Sequence, residues 1–181
     1  MTSAENDVRL VHVIQGDYFV TDDENIVLTT ILGSCVAACM CDPVAKIGGM
    51  NHFLLPDDGG RQENSGVARH GVHLMELLVN GLMQRGARRD RLQVKLFGGG
   101  KLFAGLTDIG GRNADFAEQF IRAEGFKYAG GNLRGLQGRR IRYWPITGQA
   151  KQIFIESGEV PNVPVQRAPV VEPASGSVEL F

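Results

Sequence analysis

One segment of the chain gathers side chains that could do chemistry together: Thr29 to Pro56, reading TTILGSCVAACMCDPVAKIGGMNHFLLP. It holds all three cysteines, Cys35, Cys39 and Cys41, together with His52. A thiol and an imidazole within proton-sharing distance make a nucleophile, because the imidazole takes the proton and the thiolate attacks. The turn signal Asp42-Pro43 between two apolar runs predicts a hairpin buried on both faces. If Cys41 pairs with Lys46 across a four-residue loop, Cys35 stands opposite His52 on one face. A slip of one residue separates the two, so this expectation hangs on the turn. Gly33-Ser34-Cys35 reads as a small-residue elbow, with N–H groups around Ser34 and Cys35 free to face a developing oxyanion. Thr29 or Thr30 supplies a hydroxyl to orient the imidazole or hold a substrate amide. On spacing alone a second reading stays open, since a cysteine in an apolar run is also a small core residue. That is the expectation for Cys39 and Cys41. A metal site made of these cysteines and His52 lacks the paired ligand spacing of structural zinc.

The elements that must position these residues follow from periodicity. Ile26 to Leu32 is a β-branched run of strand character, and Val8 to Val13 alternates in part. Residues 56–66 read as a polar, flexible loop. From Val67 the spacing changes: Gly71, Leu74, Leu78 and Leu82 fall on one helical face, with a stop near Gly86. A short strand is expected over Gln93 to Phe97, then a second helix with Asn113 as its N-cap and a stop at Gly125. Arg139 to Ile146 and Lys151 to Ile155 form a last hairpin. Mixed sheets with two main helices make this an α+β fold or an α/β sandwich. The domain is expected over 1–155. Residues 156–181 carry four of the seven prolines and one aromatic, and read as a disordered tail.

Composition bounds the function. The 181 residues carry 19 basic and 20 acidic side chains, for a net charge of −1, so no basic footprint of a nucleic-acid binder is present. No run approaches the ~18 apolar residues of a membrane helix, and the start MTSAENDVRL does not read as an export signal. A cytoplasmic protein with reduced thiols is expected. The Gly98-Gly99-Gly100-Lys101 run is not a phosphate loop, because Leu102 follows the lysine, and it fits close backbone approach instead. His70 and His73, and the arginines around 85–91 and 134–142, read as solvated faces. Arg88 and Arg89 also suggest docking of an acidic partner.

Leu32-Gly33-Ser34-Cys35-Val36, Asp42-Pro43, Gly48-Gly49-Met50-Asn51-His52 and Leu55-Pro56 together resemble the signature of the CheD family, chemoreceptor glutamine deamidases of bacterial chemotaxis. The resemblance continues through Lys95-Leu96-Phe97-Gly98-Gly99, Ile109-Gly110-Gly111-Arg112-Asn113, Gly130-Gly131 and Thr147-Gly148, covering about residues 8–155. It implies a nucleophile at Cys35, a histidine at His52 and a triad threonine six residues before the cysteine, at Thr29. It also implies hydrolysis of a receptor glutamine to glutamate through a thioester, oxyanion support at Ser34 and Gly33, and no metal or organic cofactor. Expected partners are methyl-accepting chemotaxis receptors and a CheC-type phosphatase, with neither nucleic acid nor membrane insertion. One rival is a non-catalytic module binding that phosphatase. Another is a thiol hydrolase acting on a different protein glutamine, since the fold resembles the deamidase domain of cytotoxic necrotizing toxins. His70-Gly71-Val72 departs from the Tyr and acidic residue the family often has at the first helix.

Overall fold

A computed structural model describes residues 8–56, 65–102 and 108–155. The expected tail, most of the polar loop and the first seven residues lie outside the described residues. In chain order the elements are β1 (Arg9–His12), β2 (Tyr18–Thr21), β3 (Ile26–Leu32), β4 (Val36–Asp42), β5 (Ile47–Asn51), α1 (Ser65–Gln84), β6 (Gln93–Gly98), α2 (Ile109–Ala123), β7 (Lys127–Leu133), β8 (Gly138–Trp144) and β9 (Gln149–Ile155). They form two mixed sheets, ordered β1-β3-β8-β9 and β2-β5-β4-β6-β7.

β4 explains the layering. Every one of its residues is buried, and alternate side chains serve two different cores. Val36, Ala38 and Met40 face the helices, packing with Leu78 and Leu82 of α1 and with Ala117 and Ile121 of α2. Ala37 and Cys39 face the other sheet, packing with Leu28, Leu32, Ile141 and Tyr143. The result is three layers: sheet, sheet, helices. The expectation of mixed sheets with two helices holds.

Two local expectations are corrected. The second helix does not begin at Asn113; its N-cap is Asp108, whose carboxylate accepts from the Gly111 N–H at 2.8 Å. Asn113 is fully buried inside the helix. The hairpin register also differs, with Cys41 opposite Gly48 and Asp42 opposite Ile47. The cause lies in the turn. Lys46 has φ 55°, which takes it out of the strand, while the Asp42 carboxylate receives the Val44 and Ala45 N–H groups at 3.0 Å. β4 thus runs one residue further and β5 starts one residue later, and together the two displacements shift the pairing by two residues. Because side chains alternate with period two, Cys35 keeps its face and becomes a diagonal rather than a direct neighbour of His52.

The first helix starts at Ser65, ahead of the expected Val67. His70 and His73 lie on its exposed face. Gly71 is buried, and a methyl group there would lie 2.6 Å from both Leu55 and Phe116. The departure at His70-Gly71-Val72 thus becomes a point of close packing between α1, α2 and the chain leaving β5.

Candidate active site

Cys35 sits where the chain passes from one sheet to the other, three residues beyond the end of β3 and directly before β4. Three neighbours hold the carbonyls of this elbow. Gly100 donates to the Gly33 oxygen at 2.8 Å, the Asn113 side chain to the Ser34 oxygen at 2.8 Å, and Gly99 to the Cys35 oxygen at 2.7 Å. In a trans peptide the N–H points opposite to the preceding carbonyl. Fixing the Ser34 carbonyl on α2 therefore aims the Cys35 N–H away from the helix, and that N–H lies close enough to its own sulfur to favour the thiolate. Asn113 joins both sides of the site, because its oxygen also accepts from Leu55 N–H at 2.9 Å.

The glycine run is what allows this clasp. Gly98 has φ +108°, and a Cβ there would fall 2.1 Å from the Cys35 carbonyl oxygen. Any side chain at 98 would push β6 off the elbow.

His52 follows β5 and is 7% exposed. Its backbone is held on both sides by the β1–β2 turn: Gly16 donates to the His52 oxygen at 2.8 Å, and His52 N–H to the Asp17 oxygen at 3.0 Å. Its Nδ1 lies 2.8 Å from Thr30 Oγ1 and 3.2 Å from the Val13 carbonyl oxygen. The Thr30 hydroxyl itself donates to that carbonyl at 2.7 Å. A carbonyl can only accept, and the threonine proton is already committed to it. Nδ1 must therefore carry a hydrogen, which leaves the lone pair on Nε2. Nε2 is buried and makes no hydrogen bond among the described residues. The imidazole thus holds a basic nitrogen, and by the register His52 shares the hairpin face of Cys35.

Burial sets the resting charges. It pushes the Cys35 thiol above its ordinary 9.0, with its own N–H opposing. It pushes the His52 imidazole below 6.5, with Val13 and the Asp17 carboxylate pulling part of the way back. At neutral pH the pair rests as thiol and neutral imidazole. The other two cysteines differ. Cys39 is fully buried and Cys41 is 4% exposed, and desolvation raises both thiols. They pack as core residues, as expected.

The predicted site residues are thus largely brought together. Gly33, Ser34 and Cys35 form the elbow, with His52 on the same face. Thr29 is not at the imidazole: its hydroxyl donates to the Ile141 carbonyl of β8 at 2.8 Å, on the face of β3 opposite Thr30. Two contributors carry no sequence signal for their role. Asn113 reads as a helix cap by its spacing and acts as a clamp instead. Gln15, whose Oε1 lies 3.5 Å from Cys35 Sγ, sits in a turn with no periodic signal. Among the described residues no group of three or more His, Cys, Asp or Glu could hold a metal ion. Arg88 and Arg89 are engaged with Asp90 and Glu124, and Arg134 with Asp115 and Glu118. They are not an uncommitted basic patch.

Comparison with known proteins agrees with the motifs. The family model described as CheD chemotactic sensory transduction matches residues 54–152. A protein of Acidiphilium cryptum (strain JF-5) named "Probable chemoreceptor glutamine deamidase CheD" is 52% identical, over 96% of this chain and 94% of its own. Proteins with the same name from Caulobacter sp. (strain K31) and Rhizobium etli (strain CIAT 652) are each 50% identical, over 94% and 98% of this chain and 92% and 98% of theirs. Among solved structures, Neisseria meningitidis protein NMB0706 aligns over 71% of this chain and 64% of its own, with TM-score 0.47 and 9% identity. That likeness is too loose to add to the fold described above. A family model covering more than half the chain, with relatives at half identity across nearly all of it, makes this chain a member of the CheD family.

Proposed function

We propose that this chain is a glutamine deamidase of chemoreceptors, with Cys35 as nucleophile and His52 as the acid–base. The observation that carries this reading is the unpartnered Nε2, among the described residues, of a buried, neutral imidazole whose residue shares the hairpin face of the thiol elbow. In the reaction, the Cys35 proton passes to Nε2 and the sulfur attacks the side-chain carboxamide carbon of a receptor glutamine. The oxyanion forms beside the Cys35 N–H. Nε2–H then protonates the departing nitrogen, ammonia leaves and a thioester remains. Water gives its proton to Nε2, cleaves the thioester and releases glutamate. The proton returns to sulfur. No step calls for a metal or an organic cofactor. Ser34 and Gly33 serve through their backbone, since they set the peptide planes of the elbow.

Thr30 rather than Thr29 completes the triad in this reading. Thr30→Val removes one acceptor that holds Nδ1–H and leaves the Val13 carbonyl, so kcat is expected to fall by about a hundredfold, the low end of what a positioned acid–base group contributes. Thr29→Val leaves kcat within about threefold and costs about 1 kcal/mol of stability for the lost bond to Ile141. Deamidation rates and thermal unfolding of the two variants check the assignment, and the reverse ranking returns the role to Thr29.

The chemoreceptor glutamine in the names of the relatives supports chemoreceptors as partner. The net charge of −1 and the paired arginines speak against nucleic acid. No helix among the described residues is long and apolar enough to cross a membrane, and the reading places the protein in the cytoplasm. A CheC-type phosphatase is a further proposed partner. The direct test incubates the protein with a receptor cytoplasmic domain and follows conversion by mass spectrometry. Each converted glutamine gains about 1 Da and yields one ammonia by the stoichiometry above. A receptor whose mass does not change sinks the substrate assignment.

A further inference from the structure

Among the described residues, the Cys35 thiol has one side-chain hydrogen-bond partner, and it comes from a distant part of the chain: Sγ donates to Gln15 Oε1 at 3.5 Å. Gln15 is exposed, so its carboxamide is open to an arriving substrate. Its backbone is nonetheless tightly placed. Val13 on one side accepts from Thr30 and His52. Gly16 and Asp17 on the other side bond the His52 main chain, and Asp17 N–H also donates to the Ile14 oxygen at 3.1 Å. The residue that supplies the base therefore also fixes the turn that brings a carboxamide to the nucleophile.

We infer that Gln15 is a further catalytic residue, the side-chain donor of the oxyanion site, acting with the Cys35 N–H. This rests on the deamidase reading. A carboxamide carries an acceptor and two donors on adjacent atoms. In the resting enzyme its oxygen receives the S–H. Once that proton moves to His52, an oxygen facing a thiolate is repulsive, and a half-turn about the soft terminal bond replaces it with the amide N–H groups. Those donors then meet negative charge first on sulfur and next on the oxygen of the attacked carbonyl, which is held one carbon away from that sulfur. No covalent bond of Gln15 changes. The hydrogen bond sets the sulfur toward the oxygen of the Gln15 amide, not above its carbon, so Gln15 serves as donor and is not itself the substrate.

The test compares Gln15→Ala and Gln15→Glu with the unaltered protein, in receptor deamidation and in alkylation of Cys35 by iodoacetamide. Alkylation is a displacement that makes no oxyanion, and the buried Cys39 and Cys41 stay silent. Both variants are expected to lose about a hundredfold in kcat with KM within a few-fold, as for removal of one oxyanion donor. Gln15→Ala keeps its alkylation rate within about threefold, since it loses the resting S–H bond together with the N–H contact to the thiolate, and the pKa of the thiol rests mainly on burial. Retention of kcat in both variants overturns the proposal. So does a parallel fall of alkylation and kcat in Gln15→Ala, which would mean that Gln15 acts on the thiol alone. If the unaltered protein alkylates normally yet converts no receptor glutamine, the deamidase reading fails, and the proposal with it. Loss in the variants alone leaves both standing.

Discussion

Cys35→Ala is expected to abolish receptor deamidation, a loss on the order of 10⁵-fold or more, as when the nucleophile of a covalent mechanism is removed. The fold should tolerate the change. The elbow is held through carbonyl oxygens at Gly33, Ser34 and Cys35, none of which belongs to a side chain. The thiol is half-buried, and its one side-chain bond among the described residues is the 3.5 Å contact to Gln15. A melting temperature within a few degrees of the unaltered protein is therefore part of the prediction. Cys39→Ala is the contrasting control, because Cys39 is fully buried between the sheets. It should unfold more readily and keep its kcat. The Cys35→Ala variant should still bind the receptor and, if such a partner is present, the phosphatase. Full cellular function in that variant would favour a binding module over an enzyme.

How much of this was legible in the sequence varies with how local each determinant is. The β4–β5 hairpin and the elbow were readable because apolar runs, a turn signal and small residues sit within one segment. The register was wrong by two residues. Asp42 ends β4 by capping the turn with its carboxylate, and Lys46 takes a left-handed conformation, neither of which spacing reveals. The Cys35–His52 face survived only because the error was even. Which threonine meets the imidazole could not be read at all. Thr29 and Thr30 lie on opposite faces of a strand buried on both sides. The choice between them depends on how the second sheet stacks on β3. Asn113 and Gln15 are further cases of the same limit. Their sequence neighbours suggest a cap and a turn, while their roles come from contacts 79 and 20 residues away in the chain.

The second large effect concerns His52. Replacement by Gln should reduce kcat about 10³-fold or more, since one group serves both in taking the thiol proton and in giving it to ammonia. The backbone bonds from His52 to Gly16 and Asp17 do not involve the ring, and the Thr30 hydroxyl keeps its bond to Val13, so the local structure should hold. The pH profile carries the stronger evidence. Only a neutral imidazole accepts the thiol proton. Burial makes the imidazolium costly, so activity should fall only below the ordinary histidine value of 6.5 as the pH is lowered. On the alkaline side, loss of the proton shared by the pair removes the acid that ammonia departure needs. That limb should lie above the ordinary thiol value of 9.0, in the direction burial shifts Cys35. The profile of the unaltered enzyme is thus a plateau across neutral pH. In His52→Gln the acid limb should vanish. Iodoacetamide alkylation of Cys35 should instead climb about tenfold per pH unit toward the thiol's own value, because free thiolate is then the only nucleophile. An acid limb that survives unchanged in His52→Gln would show that another group takes the proton, and that the Nε2 lone pair of His52 is not what makes the thiol reactive.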